Sequence, residues 1–255
     1  MGFVRLYHCG YDGFLDLGKQ YRMIFADPPD AIGTKYNGFR DTIADYRGFL
    51  SDIVWRGAGR CDIFWLSVNA KHSFAIGAVV DHFLEMNPHW EAKHCVQTFT
   101  FGQHQHSDLC SSHRPLIRLM RRGTALYPDA IRIQSWRQAN GDKRADPRGR
   151  VPGDVFDFPR VTGNNRQRRD FCPTQLHEGL YERCIRLSCQ PGDTVVDLFA
   201  GSGTLGRVAE RCGINAIMVE ISRATCDAIL IDQKNAVEIG VTCQDSRRSL
   251  LPEAV

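Results

Sequence analysis

VVDLFAGSGTLGRVAERCG, residues 195–213, commits this chain to an architecture. An apolar run ends in Asp197, turns through Gly201-Ser202-Gly203 and opens a helical pattern at Thr204. Glycines let the backbone approach a ligand closely, and a helix start offers N–H groups with no partner inside the helix. Nineteen residues beyond Gly201 the next apolar run, NAIMVE, ends in Glu220. A carboxylate there can accept both ribose hydroxyls of an adenosine. A lone Gly-x-Gly says little. Strand, glycine turn, helix, strand and terminal acid in that order predict a nucleotide-like ligand on an α/β fold.

On either side of this stretch, a helical apolar stripe covers 174–187 and strands are expected at 194–198 and 215–219, with helices reaching Cys212 and starting at Ser222. Short β-α-β connections make the sheet parallel and cover it on both faces. The first hundred residues repeat the pattern. Strands are expected at 22–26 (RMIFA), 62–68 and 90–101, and helices at 42–55 and 73–86. From Gly102 the chain becomes rich in Gly, Pro, Asp and Arg and reads as an irregular, exposed excursion until Pro173.

A second motif, Asp27-Pro28-Pro29-Asp30, follows the strand RMIFA. Two prolines stiffen the turn and hold a carboxylate at a strand's C-terminal end, where α/β folds place their ligands. Standing alone, Asp27 would read as a turn or capping residue.

Charge points to a partner. Residues 114–169 hold thirteen arginines and one lysine against five aspartates, a local charge of +9 in a chain whose net charge is +3. The remainder is therefore acidic, at −6. One basic stretch in an acidic protein suggests a polyanion. With 43% hydrophobic residues the chain is expected to fold as a globular protein. No apolar run approaches a bilayer span, and the opening MGFVRLYHCGYDGF lacks a signal-peptide core or a myristoylation signal, so a cytoplasmic location with no membrane association is expected. The ten cysteines include no Cys-x-x-Cys pair, and those in apolar stretches (Cys184, Cys212, Cys226) read as reduced thiols. His104, His106, Cys110 and His113 carry zinc-competent atoms, but their spacing matches no finger or ribbon, and no metal is expected.

Taken together, Asp-Pro-Pro and Phe199-Ala200-Gly201-Ser202-Gly203 resemble the two hallmarks of amino-methylating DNA methyltransferases. The catalytic motif comes first, the cofactor motif last and the basic stretch between, an order similar to the β class of that family. Pro173-Thr174-Gln175-Leu176-His177 resembles a third family motif, and the likeness spans nearly the whole chain. Two departures stand out. Asp30 occupies a position where the family has Tyr, Phe or Trp. Tyr7-His8-Cys9-Gly10 stands where an Asn-Gly-Asp-like turn is common.

The resemblance implies a Rossmann-like S-adenosylmethionine-dependent methyltransferase fold with a mostly parallel, doubly wound sheet. Its division would be a catalytic half (1–103), a basic target-recognition excursion (104–170) and a cofactor half (171–255). The implied catalytic set is Asp27, Pro28, Pro29 and Asp30. The implied cofactor set is Thr174, Gln175, Asp197, Phe199, Gly201, Ser202, Gly203, Thr204 and Glu220, with S-adenosylmethionine as methyl donor. Double-stranded DNA is the expected partner, met by Arg144, Arg148 and Arg150, and a homodimer is one assembly consistent with the family. Because Asp30 cannot stack on a base, Tyr36 or Phe39 is expected to close over the flipped target, with Lys35 offsetting the added charge. Adenine N6 is the expected acceptor, since enzymes acting on cytosine N4 usually carry Ser in place of Asp27. The alternatives left open are cytosine N4, an RNA or protein-amide acceptor on a related fold, and a DNA-binding protein with a decayed active site.

Overall fold

The computed structural model describes residues 2–36, 39–99 and 106–240, with the side chain of Phe39 outside the described part. A nine-stranded sheet runs through it in the order β11-β1-β10-β9-β2-β5-β7-β6-β8. The strands are β1 (Val4–His8), β2 (Tyr21–Ala26), β5 (Cys61–Ser67), β6 (Trp90–Thr98), β7 (His113–Arg121), β8 (Val155–Asp157), β9 (Thr194–Asp197), β10 (Asn215–Glu220) and β11 (Ala236–Ile239). A two-stranded hairpin, β3 (Lys35–Tyr36) with β4 (Phe39–Arg40), stands apart from it. From β11 to β5 every pairing is parallel, and β7 runs antiparallel to both β5 and β6.

Alternation along the strands explains the two-sided cover. In β2, Met23 and Phe25 point to one apolar layer while Ile24 and Ala26 point to the other, and all four are fully buried. The first layer is closed by α5 (Glu178–Ser188), α6 (Thr204–Arg211) and α7 (Arg223–Asp232). The second is closed by α1 (Tyr11–Leu15), α2 (Tyr46–Ala58) and α3 (Ser73–Met86). The short α4 (Trp136–Ala139), with a capping box at Ser135 and Gln138, lies in the basic stretch. The doubly wound, mostly parallel sheet expected from the sequence is the architecture observed.

The differences are local. The helix expected over 42–55 starts later, at Tyr46, where the Asp45 side chain caps Gly48 N. That expected over 174–187 starts at Glu178, capped by His177. Strands β1, β7, β8 and β11 and the β3–β4 hairpin lie outside the expected strands, β7 and β8 within the excursion expected to be irregular. In β7, Leu116, Ile117, Leu119 and Met120 are buried, so the irregular stretches proper are 122–154 and, beyond β8, 158–177. The arginines of β7 are accordingly built into the sheet. Arg118 lies over the Trp65 ring, and Arg121 lies over Trp90 while donating to the Cys61 carbonyl.

Candidate functional site

The sheet reverses its winding between β9 and β2, and ligands of open α/β folds gather at such a switch point beyond the strands' C-terminal ends. Asp27 follows β2 there, Asp197 ends β9 and Glu220 ends β10. The Leu198 N–H donates to the Phe25 carbonyl at 3.0 Å, locking the two loops side by side.

On the β2 side, Asp27 and Asp30 both face Arg114, which enters from β7. Its Nη2 lies 2.9 Å from Asp27 Oδ1 and 3.1 Å from Asp30 Oδ1, and its Nη1 lies 3.0 Å from Asp30 Oδ2. Nε donates to Ser67 Oγ at 3.3 Å, and the Ser67 hydroxyl is near enough to the Asp27 carboxylate to favour its ionised form. Asp30, only 7% exposed, is held further by Asn69 Nδ2 at 3.3 Å, and its carbonyl meets His72 Nε2 at 2.7 Å. The next residue, Ala31, sits at φ 50°, a left-handed conformation costly for a side chain with a Cβ. Burial pushes the Asp27 carboxyl above its ordinary value; Arg114 pulls it back, Asp30 adds to the rise and Ser67 opposes it. Burial also works against the Arg114 charge, but the two aspartates outweigh it and hold the guanidinium above its usual value.

This corrects two expectations. Lys35 is exposed and is not the group that offsets Asp30; Arg114 is. Nor does Arg114 face a phosphate, because every nitrogen of its guanidinium is taken. Tyr36 lies in β3, beside the Pro-Thr-Gln loop. Its hydroxyl lies 3.4 Å from Thr174 Oγ1, joining the β3–β4 hairpin to the Pro-Thr-Gln loop. Phe39 lies in β4, and its side chain is outside the described part.

On the β9–β10 side the carboxylates meet backbone. Asp197, fully buried, accepts the Phe199 N–H at 3.1 Å through Oδ1, while Oδ2 is buried with no partner. Burial pushes its carboxyl up to about 7. Glu220 accepts Gly201 N at 3.0 Å and Ser222 N at 2.8 Å, and its carboxyl is raised by burial, with those amides opposing. Gly203 caps α6 at φ 70°, and a Cβ there would run into the Gln233 amide that donates to its carbonyl. Ser202 Oγ and Thr204 Oγ1 are buried 2.8 Å apart. Arg207 donates to the Ser202 carbonyl and to Thr204 Oγ1, and ties this loop to Asp232 of α7. Phe199 packs on Tyr11 and Phe49 in the second apolar layer. Gln175 is committed at both ends, to Gln167 and Arg169. The Tyr7–Gly10 turn follows β1 beside Glu220, with the Cys9 N–H bonded to the Glu220 carbonyl.

These groups suit an adenosyl sulfonium ligand. A glycine turn at a helix start, a carboxylate at the next strand's end and an orphaned buried acceptor beside them match a ribose and an ammonium. The fit rests on the unpartnered Asp197 oxygen. Sequence reasoning missed Arg114, Ser67, Asn69 and His72 as parts of the site.

Away from the cleft, Arg144 and Arg148 project from the irregular stretch. Each is braced by the aspartate two residues before it, which accepts both its backbone N–H and its guanidinium. Their side chains are 81% and 65% exposed. Arg150, also exposed, pairs its backbone with Ile133. Of the His104–His113 cluster, His104 lies outside the described residues, and among the described residues no three metal-ligating side chains converge. Nor is any helix among them long and apolar enough to cross a membrane.

The sequence model of a family described as DNA methylase, of N6/N4 type, matches residues 21–231. The chain belongs to this family. It is a DNA methyltransferase of the amino-methylating kind, a family that uses S-adenosylmethionine. The DNA adenine methyltransferase YhdJ of Escherichia coli (strain K12) is 35% identical over 221 residues, covering 78% of this chain and 71% of that protein. The type II methyltransferase M.ScaI of Streptomyces caespitosus is 35% identical over 217 residues, covering 79% and 71%. Among solved structures, the cytosine-N4-specific PvuII DNA methyltransferase superposes with a TM-score of 0.66 at 14% identity, over 90% of this chain and 86% of that one. The M1.HpyAVI–SAM complex gives 0.62 at 17% identity, over 90% and 98%.

Proposed function

We propose that this methyltransferase acts on the N6 amine of adenine in double-stranded DNA. The supporting observation is the Asp27 carboxylate, held by Arg114 at the switch point. An exocyclic amine is a poor nucleophile because its lone pair is delocalised into the ring. Asp27 and the Pro28 carbonyl each accept one of its N–H groups, turning the lone pair out of the ring plane. The chemistry is orientation and stabilisation of developing positive charge, with no covalent enzyme intermediate. S-adenosylmethionine supplies an electrophilic methyl when bound. Glu220 takes its ribose, Asp197 Oδ2 its ammonium, and the 201–204 loop lets the backbone approach; Thr174 borders the methionine end. The target base leaves the duplex stack to reach Asp27, and Tyr36 closes over it.

The segments 1–103, 104–170 and 171–255 serve as catalytic, recognition and cofactor parts in this reading, with β7 lent to the sheet by the middle one. Arg144, Arg148 and Arg150 contact the duplex. The cytoplasm, where DNA and donor meet, is the proposed location. A homodimer belongs to the same proposal, and light scattering that gives a monomer mass with and without DNA removes it. Cytosine N4 is the second reading, favoured by the likeness to the PvuII enzyme's fold. Digestion of treated, polymerase-amplified genomic DNA to nucleosides decides: N6-methyladenine is expected, and N4-methylcytosine alone overturns the assignment.

A further inference from the structure

The position after Asp27-Pro28-Pro29 carries an aspartate where the family carries an aromatic ring. That aspartate neither points away nor stands alone. It is buried, takes two nitrogens of Arg114, and is braced by Asn69 and His72. Arg114 reaches Asp27 with the same Nη2 and Ser67 with its Nε. The charges of Asp27, Asp30 and Arg114 sum to −1, the charge of one catalytic aspartate with a neutral neighbour.

We propose that Asp30 and Arg114 form one neutral clamp that holds Asp27 ionised and fixed in direction, both acting as positioning residues for the methyl transfer. The inference rests on the reading of Asp27 as the acceptor of the target amine. Arg114 grips Asp27 through Oδ1, so the carboxylate's rotation is set before any base arrives. Preorganised acceptors of this kind need no rearrangement during reaction. Asp30 has two tasks. It supplies a second anchor, so that the arginine cannot swing out to a phosphate, and it cancels the charge that Arg114 brings. Among the described residues, the other groups that sense the Asp27 charge include Tyr36 from the hairpin, Tyr46 from α2, Tyr181 from α5, Asp197 from β9 and Cys172. None of these is a cation. Arg114 is therefore the cation whose removal raises the Asp27 midpoint.

Opposite shifts in two variants test the clamp. The ¹³C-carboxyl titration of Asp27, assigned by its loss in Asp27→Asn, is followed in the full chain together with single-turnover methyl transfer against pH on amplified genomic DNA. Arg114→Gln leaves two adjacent carboxylates, so the Asp27 midpoint and the acid limb of the rate should both rise by about one pH unit or more. Asp30→Asn leaves Asp27 with the arginine to itself, so its midpoint should fall. The double variant restores the charge of −1, and its midpoint should return close to wild type. Arg114→Lys, which keeps the cation but loses the fork, should keep the midpoint and recover part of the rate. A purely structural role predicts lower melting temperatures with unmoved midpoints, and that result overturns the clamp. Should Arg114→Gln not fold, Asp30→Asn decides alone, because a midpoint that fails to fall is incompatible with the clamp. A wild-type protein that methylates no DNA overturns the proposed function instead, while the midpoints still report on the clamp.

Discussion

The two walls of the cleft hold their carboxylates in opposite ways. On the β2 wall, Asp27 and Asp30 are answered by a side-chain cation that satisfies both. On the β9–β10 wall, Asp197 and Glu220 are answered by backbone amides, and one oxygen of Asp197 has no partner. A wall whose carboxylates are already held by a cation, with one negative charge left over, is ready for a neutral hydrogen-bond donor, such as the amine of a base. A wall with an open, buried acceptor is ready for a cationic one, such as the amino group of the methyl donor. A buried acceptor left unmatched costs free energy that a complementary ligand recovers on binding.

The contrast meets its hardest test at Asp27. Asp27→Ala should lower methyl transfer by ~10²–10³ or more, as loss of one preorganised catalytic group does. Cofactor affinity, measured by calorimetry, should barely change because that residue belongs to the other wall. A variant keeping half the turnover, or losing the cofactor instead, would erase the distinction between the walls. Glu220→Ala should do the reverse, weakening S-adenosylmethionine by roughly 10- to 100-fold through loss of charged hydrogen bonds worth ~1.5–3 kcal/mol, with the fold retained.

Proton linkage separates the walls again at Asp197. In the free protein its carboxyl titrates near 7. A cationic ligand group stabilises the ionised form, so binding below that pH must first expel the proton. Cofactor affinity should therefore fall as pH drops below about 7, approaching tenfold per unit. Asp197→Asn should bind more weakly and show little of this dependence. An equally steep profile in that variant would assign the proton elsewhere.

The smallest effects belong to the exposed arginines, which serve as a baseline outside both walls. Arg144→Ala with Arg148→Ala should leave stability within ~0.5 kcal/mol, as surface changes usually do. The slope of log affinity against log salt should become shallower by about one for each phosphate that is no longer neutralised. An unchanged slope removes these residues from the DNA interface.

The cofactor wall was legible because its parts are contiguous: Asp197, the glycine turn, the α6 start and Glu220 fall within 24 residues of one β-α-β unit. Periodicity recovered α3 to the residue for the same reason. The β2 wall was only half legible. Asp27 announces itself between RMIFA and two prolines, but Arg114 reaches Asp27 across 87 positions and belongs to a run of arginines that looks like one basic surface. Charge counted along the chain cannot separate a guanidinium locked in the site from one braced toward solvent. Strand β7 was hidden by the same residues, since Arg114, Arg118 and Arg121 interrupt its apolar pattern and are satisfied by ion pairing, ring faces and a carbonyl. β1 was too short to stand out, with Arg5 and His8 among its five residues.

That short strand has a consequence for how the molecule assembles. β1 lies between β10 and β11, pairing Val4 with both Ala216 and Ala236, so the Glu220 wall is stitched together by segments more than two hundred positions apart in sequence. A bond such as Phe3 N–H to Asn215 Oδ1, across 212 positions, adds little closure cost beyond that of a shorter loop, because the cost grows only with the logarithm of length. It does slow folding, because non-local pairings must wait for the chain between them. A fragment holding only residues 171–255 would keep the glycine turn yet leave facing edges of β10 and β11 bare, and bare edges seek other strands. Adding a peptide of the first dozen residues to such a fragment, and watching whether it stays in solution, would show the wall being completed by the opposite end of the chain.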